Sequence, residues 1–208
     1  MQEAFVGGWA QESHLSTGKL GSLRDLNHRF LDLTAAAAYP WAVRGGPARA
    51  SGVAAQVAPL SSAQRAAAAG CPYALFDLRF HDERHWRSRL QGFKSWRIAD
   101  EPGIEDDTVK FVRLALFYAW HVASSEGLAA QLLLGMTGST AAGLRSITVD
   151  QLSGLAATEA DTLSVRWSDC TAYWSALTAA ASRSDAAALR RVQLYGLQLA
   201  AAARLPGS

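Results

Sequence analysis

Cysteine is nearly absent: Cys71 and Cys170 are the only two in 208 residues. Neither belongs to a Cys-x-x-Cys pair, so neither a disulfide framework nor a cysteine-based zinc site can organise the fold, and both are read as reduced thiols. An excess of one charge is lacking too, with 20 Lys+Arg against 18 Asp+Glu and a net charge of +2. Affinity for an anionic partner must therefore come from local clustering. No uninterrupted apolar run reaches the roughly 18 residues of a membrane span. The first thirty residues carry no basic start followed by an apolar stretch. The expectation is a cytoplasmic chain with no membrane contact. Catalytic patterns are missing as well: there is no GxGxxG or phosphate loop, and His28, His121 and the thiols form no arrangement of nucleophile, base and orienting acid. No enzymatic activity and no cofactor or metal is expected.

What is present is hydrophobic content of 50% with 18% charge, enough for a buried core and too apolar for disorder. The stretch Ala141 to Trp167 occurs twice. A shift of 87 positions, without a gap, carries Ala54, Val57, Leu60, Ser61, Gln64, Phe76, Leu78, Arg79, Phe80 and Asp82 onto Ala141, Leu144, Ile147, Thr148, Gln151, Leu163, Val165, Arg166, Trp167 and Asp169. Ser61-x-x-Gln64 and Thr148-x-x-Gln151 both fit a capping box, in which hydroxyl and amide side chains cover free backbone N–H groups at a helix start. Tyr73–Phe80 and Thr162–Trp167 have the aromatic and β-branched content of strands, with Ala74, Phe76, Leu78 and Phe80 on the apolar face.

Around this repeat the chain reads as helices. Ser22 caps a first helix with Leu23, Leu26, Phe30 and Leu33 on its stripe, ending at Tyr39-Pro40. Asp82 caps a helix over 83–92. Thr108 opens a buried helix with Phe111, Leu114, Tyr118 and Val122 on one face. Gly135 ends a further piece as a left-handed cap. Ser139, Ser168 or Asp169, and Ser184 start the remaining helices. The fold class is mainly α: two tandem helical modules with one short β-strand each, forming an intrachain pseudo-dimer. The boundaries are a flexible arm over 1–21, a degenerate module over 22–98, an acidic linker over 99–107 and a fuller module over 108–208.

The densest basic segment holds Arg79, Arg84, Arg87, Arg89, Lys94 and Arg97 among Trp86, Phe93 and Trp96. Lysine and arginine supply counterion release on phosphate, and aromatics can stack, so Arg84, Arg87, Arg89, Lys94 and Arg97 are candidates for nucleic-acid contact. The alternative is a solvated helix face with its tryptophans turned inward. Arg190 and Arg191 form a second patch. Arg79 and Arg166, at matched positions, either reach phosphate or pair with Asp82 and Asp169. His81 and His85 have the spacing of two metal ligands on one helix face but lack further ligands at defined spacing.

The motifs LLLGM at 132–136, ITVDQL at 147–152, VRW at 165–167 and LRRVQLYGLQL at 189–199 keep the order and nearly the spacing of a known family. From about Thr108 to Leu205 the chain resembles the flagellar transcriptional activator FlhD family. LRDLNHRFLDL at 23–33 and LFDLRFHD at 75–82 resemble the same family's opening helix and strand. The resemblance implies a tandem FlhD-like, non-enzymatic regulator that works with an FlhC-like protein partner on promoter DNA, and whose pseudo-dimers can assemble further. On the last helix Leu189, Val192, Tyr195 and Gln198 are candidates for partner binding. The family's strand carries a cysteine able to bridge subunits. Phe76 and Leu163 stand at the matching positions, which rules out that bridge. The alternative function is an adaptor or assembly subunit of a motility or secretion apparatus without nucleic acid.

Overall fold

The computed structural model describes residues 17–36, 48–92 and 106–203. It is mainly α-helical. Helices α1 (Thr17–Ala35), α2 (Ala48–Val57) and α3 (Ser62–Ala68) lead to strand β1 (Phe76–Asp77) and helix α4 (Glu83–Gly92). Then follow α5 (Asp107–Ser125), α6 (Gly127–Leu134), α7 (Gly138–Arg145), α8 (Val149–Glu159), strand β2 (Ser164–Val165), α9 (Thr171–Ser182) and α10 (Ala186–Ala202). No described helix is long and apolar enough to cross a membrane.

Both capping boxes form as the sequence predicts. Ser61 and Thr148 accept from the backbone of Gln64 and Gln151, whose side chains accept from the two cap N–H groups. Gly135 takes the left-handed conformation at φ 70°. Several starts shift. Helix α1 begins at Thr17, inside the stretch expected to be a flexible arm, and Ser22 lies within it, donating to the Gly18 carbonyl. Thr137 rather than Ser139 caps α7 through the Thr140 N–H. Cys170 stands at the start of α9. Asp185 caps α10 by accepting from Ala187 and Ala188, because a carboxylate serves two of the free N–H groups there.

The strands are shorter than expected, and the alternation over Tyr73–Phe80 does not separate a wet face from a dry one. Tyr73, Leu75, Phe76, Leu78 and Phe80 are all fully buried. Phe76 meets Phe30 and, edge-on at 5.1 Å, Phe111, while Tyr73 meets Trp167 and Tyr173. Protein therefore covers the ribbon on both sides. Asn27, also fully buried, fixes α1 to this segment: its amide donates to the Tyr73 carbonyl at 2.8 Å and its oxygen accepts from the Leu75 N–H at 2.9 Å.

The central helix is α5, packed against α1, α6, α7 and α8. Leu114, expected on its buried face, is exposed; Val112, Ala115, Leu116 and Ala119 take that role. Small residues there let four neighbours approach closely. One continuous apolar core contains residues of both halves.

β1 and β2 pair antiparallel, Phe76 opposite Val165 and Asp77 opposite Ser164. Asp77 and Ser164 are separated by 87 positions, the same displacement as the two capping boxes. Beyond the strands the displacement grows by one. Trp86 donates its indole N–H to the Arg79 carbonyl at 3.1 Å, and Trp174, 88 positions later, donates to the Arg166 carbonyl at 3.0 Å. The ungapped shift of 87 therefore does not carry these two tryptophans onto one another. The helices that follow the strands cross over: α4 packs on α7, and α9 packs on α2 and α3.

Candidate interaction surface on α4

Helix α4 is built by a tight turn. Arg79 has φ 56°, and its guanidinium reaches Asp82 at 2.5 Å, as one of the two sequence readings has it. The Asp82 carboxylate also accepts from the His85 N–H, and these contacts hold its pKa below the usual range, with the backbone bond the larger cause. Trp86 points inward and stacks on Phe80 with ring centroids 5.5 Å apart. With the indole buried, Arg84, Arg87 and Arg89 are exposed.

These arginines do not make one stripe. Arg84 and Arg89 line an open cleft of about 570 Å³ with Arg79, Asp82, His85, Ser88 and Gly92. Arg87 faces a second cleft of about 250 Å³ between α4 and α7, with Glu83, Ser139 and Gly143. There Ser139 and Thr137 stabilise the Glu83 carboxylate and lower its pKa, and Arg87 adds to this. Lys94 and Arg97 lie outside the described residues.

His85 and Arg89, which line the larger cleft, reach a buried carboxylate that sequence reasoning missed. Glu159, at the end of α8, is fully buried. His85 Nε2 lies 2.8 Å from its Oε2, Arg89 Nε 2.9 Å from its Oε1, and the Thr162 hydroxyl donates to Oε2 at 3.2 Å. Leu152, Leu155, Ala156 and Glu159 share helical spacing, so the carboxylate sits on the apolar stripe, the one signal that could have revealed it. Asn27 follows Leu23 and Leu26 and precedes Phe30 in the same way.

Arg166 is withdrawn from the surface. It is buried, donates to the Leu133 carbonyl at 2.9 Å, and lies 4.5 Å over the Trp167 ring. Burial lowers its pKa, opposed by the field of Asp77. Arg166 is therefore withdrawn from the reach of a phosphate, and the alternative pair with Asp169 does not form. A β-carbon on Gly135 would stand 2.8 Å from its Nη2, so the bare left-handed cap also leaves room for the guanidinium. His81 turns to Asp77 at 3.5 Å while His85 is taken up by Glu159, so the two imidazoles do not converge. No group of three His, Cys, Asp or Glu side chains suited to a metal exists among the described residues.

On α10, Arg190 and Arg191 are exposed, and Arg191 lines a cleft with Arg183 and Tyr195. Of the residues expected to bind a partner, Tyr195 and Gln198 are exposed. Leu189 and Val192 are buried, because α10 packs on α9 through Ala188, Leu189, Val192, Gly196 and Ala200. Its outward apolar side is formed by Leu194 and Leu197.

No family model, curated protein or solved structure matches the chain.

Proposed function

We infer that this chain is a non-enzymatic regulatory protein of FlhD-like design, two related modules fused into an intrachain pseudo-dimer, acting with an FlhC-like partner on promoter DNA. The observation that carries the architecture is the pairing of Asp77 with Ser164. Equivalent residues that face each other in an antiparallel ribbon lie on a local twofold axis, as at the centre of an isologous dimer. The crossed packing of α4 and α9 is what such a dimer gives when each half lends a helix to the other. For DNA, the support is the exposure of Arg84, Arg87 and Arg89 on α4. A gel-shift with genomic fragments at low salt, with and without partners co-purified from the host, tests this; binding that neutralises phosphates weakens steeply with added salt.

The adaptor reading, without nucleic acid, keeps a specific support. Arg79 is engaged by Asp82, Arg89 by Glu159, and Arg166 is buried. Less free cationic surface remains than the sequence offers. No retardation at low salt, with partners present, favours the adaptor.

A further inference from the structure

The cleft on α4 has a counterpart that is already filled. Moving α4 forward by 88 positions carries Trp86 onto Trp174, His85 onto Tyr173, Ser88 onto Ala176 and Gly92 onto Ala180. On α9 this face is the seat of α10. Tyr173 meets Tyr195 with ring centroids 6.3 Å apart, and Ala176 lines the seam with Ala188, Val192 and Tyr195. The floors correspond as well. Tyr173 touches Cys71 (3.7 Å) and Tyr73 (3.2 Å), contributed by the first half, just as His85 touches Glu159 from the second. In one half a helix roofs this face; in the other, among the described residues, the same place is an open cleft of about 570 Å³.

The chemistry of the two seats differs in a directed way. The seat on α9 is alanine and tyrosine, which suits the small apolar face of α10. On α4, Ser88 and Gly92 keep the centre small, while Ala172 and Leu177 are replaced by Arg84 and Arg89. Arg84 makes no ion pair with a described carboxylate, and Arg89 is half-exposed above Glu159. A second copy of α10 fits poorly, since it brings Arg190 and Arg191 toward these arginines.

We propose that the α4 cleft is the docking site for a helix of a partner protein, small along its contact line and acidic on its flanks, seated as α10 is seated on α9. Small residues permit close helix approach, and carboxylates on the flanks complement the arginine rim. The proposal rests on the twofold reading above, and the tests separate the two.

The probe is an alanine-based helical peptide with glutamates on one face, titrated into the full chain and followed by backbone amide NMR shifts. A lysine-bearing peptide and a duplex DNA serve as parallel arms. The glutamate peptide should shift amides of residues 79–92, and Arg84→Glu or Ser88→Tyr should each weaken it about tenfold. Both positions are exposed, so the fold should persist, and Arg84→Glu should improve binding of the lysine peptide. Equal binding of both peptides, shifts confined to other helices, or DNA but not the acidic peptide on this face would overturn the proposal. So would binding that occurs only after Asp100→Asn, Glu101→Gln and Glu105→Gln, since the chain's own acids would then be the occupant. If the ribbon pairing of Phe76 with Val165 is absent in solution, the twofold reading fails whatever the peptide does.

Discussion

Removing the two side chains that face Glu159, His85 and Arg89, should cost far more than removing the carboxylate itself. Glu159 is fully buried, and among the described residues His85, Arg89 and the Thr162 hydroxyl, the last at 3.2 Å, reach its carboxylate. In His85→Ala/Arg89→Ala the carboxylate stays in the core without a counter-charge, a situation that costs about 3–5 kcal/mol. In Glu159→Gln no buried charge remains, Arg89 swings into solvent, and the amide still accepts from Thr162. The loss is then that of one charge-assisted hydrogen bond, about 1.5–3 kcal/mol at most. The triple variant His85→Ala/Arg89→Ala/Glu159→Met should recover most of the double variant's loss, because it removes the stranded charge. Urea titrations at neutral pH, read by tryptophan emission with Trp86 and Trp174 in the core, give the three values. If the double variant loses less than Glu159→Gln, or if the triple variant recovers nothing, the buried cluster is not electrostatically coupled as described.

Three further outcomes follow from particular contacts. A β-carbon on Gly196 would stand 1.9 Å from the Tyr73 hydroxyl and 2.2 Å from its ring, so Gly196→Ala should destabilise by about 1–3 kcal/mol and expose α10 to limited proteolysis. Burial pushes the Cys71 thiol up to about 11, so in the native state a thiol reagent at mildly alkaline pH should titrate Cys170 quickly and Cys71 only at the rate of opening. The hydrogen bond to Asp77 holds the His81 imidazole above its ordinary value of 6.5. A raised folded-state pKa adds stability that is fully present below pH 6.5 and is lost as pH rises through the folded value. Stability curves of His81→Ala and the parent chain should therefore separate in acid and merge in base.

Helix content, both capping boxes and the left-handed Gly135 were legible in the sequence, because each depends on residues within a few positions of one another. Helix starts were less so. Ser22, Ser139 and Ser184 are all competent caps, and the choice among neighbouring hydroxyls and carboxylates was made by packing. The face of α5 was misjudged at Leu114 because Ala115 and Ala119, weak hydrophobes in a pattern count, are the residues that four helices can approach. The basic segment could be read as charge but not as geometry. That Arg87 faces α7 and that Arg166 serves backbone carbonyls depends on contacts across more than thirty residues of chain. The likeness of Trp86 and Trp174 was invisible to an ungapped shift, since Arg79 and Arg166 are 87 positions apart and the two tryptophans 88.

The ribbon formed by β1 and β2 joins the two halves of the chain. Arg166 donates its backbone N–H to Leu75, which makes Phe76 and Val165 a close, non-hydrogen-bonded pair whose α-protons should give a strong nuclear Overhauser contact. In uniformly labelled protein this contact is predicted to be present, and in an isotope-filtered spectrum of mixed labelled and unlabelled chains it is predicted to be absent. Its appearance only between different chains, or its absence from both spectra, would contradict an intrachain pseudo-dimer.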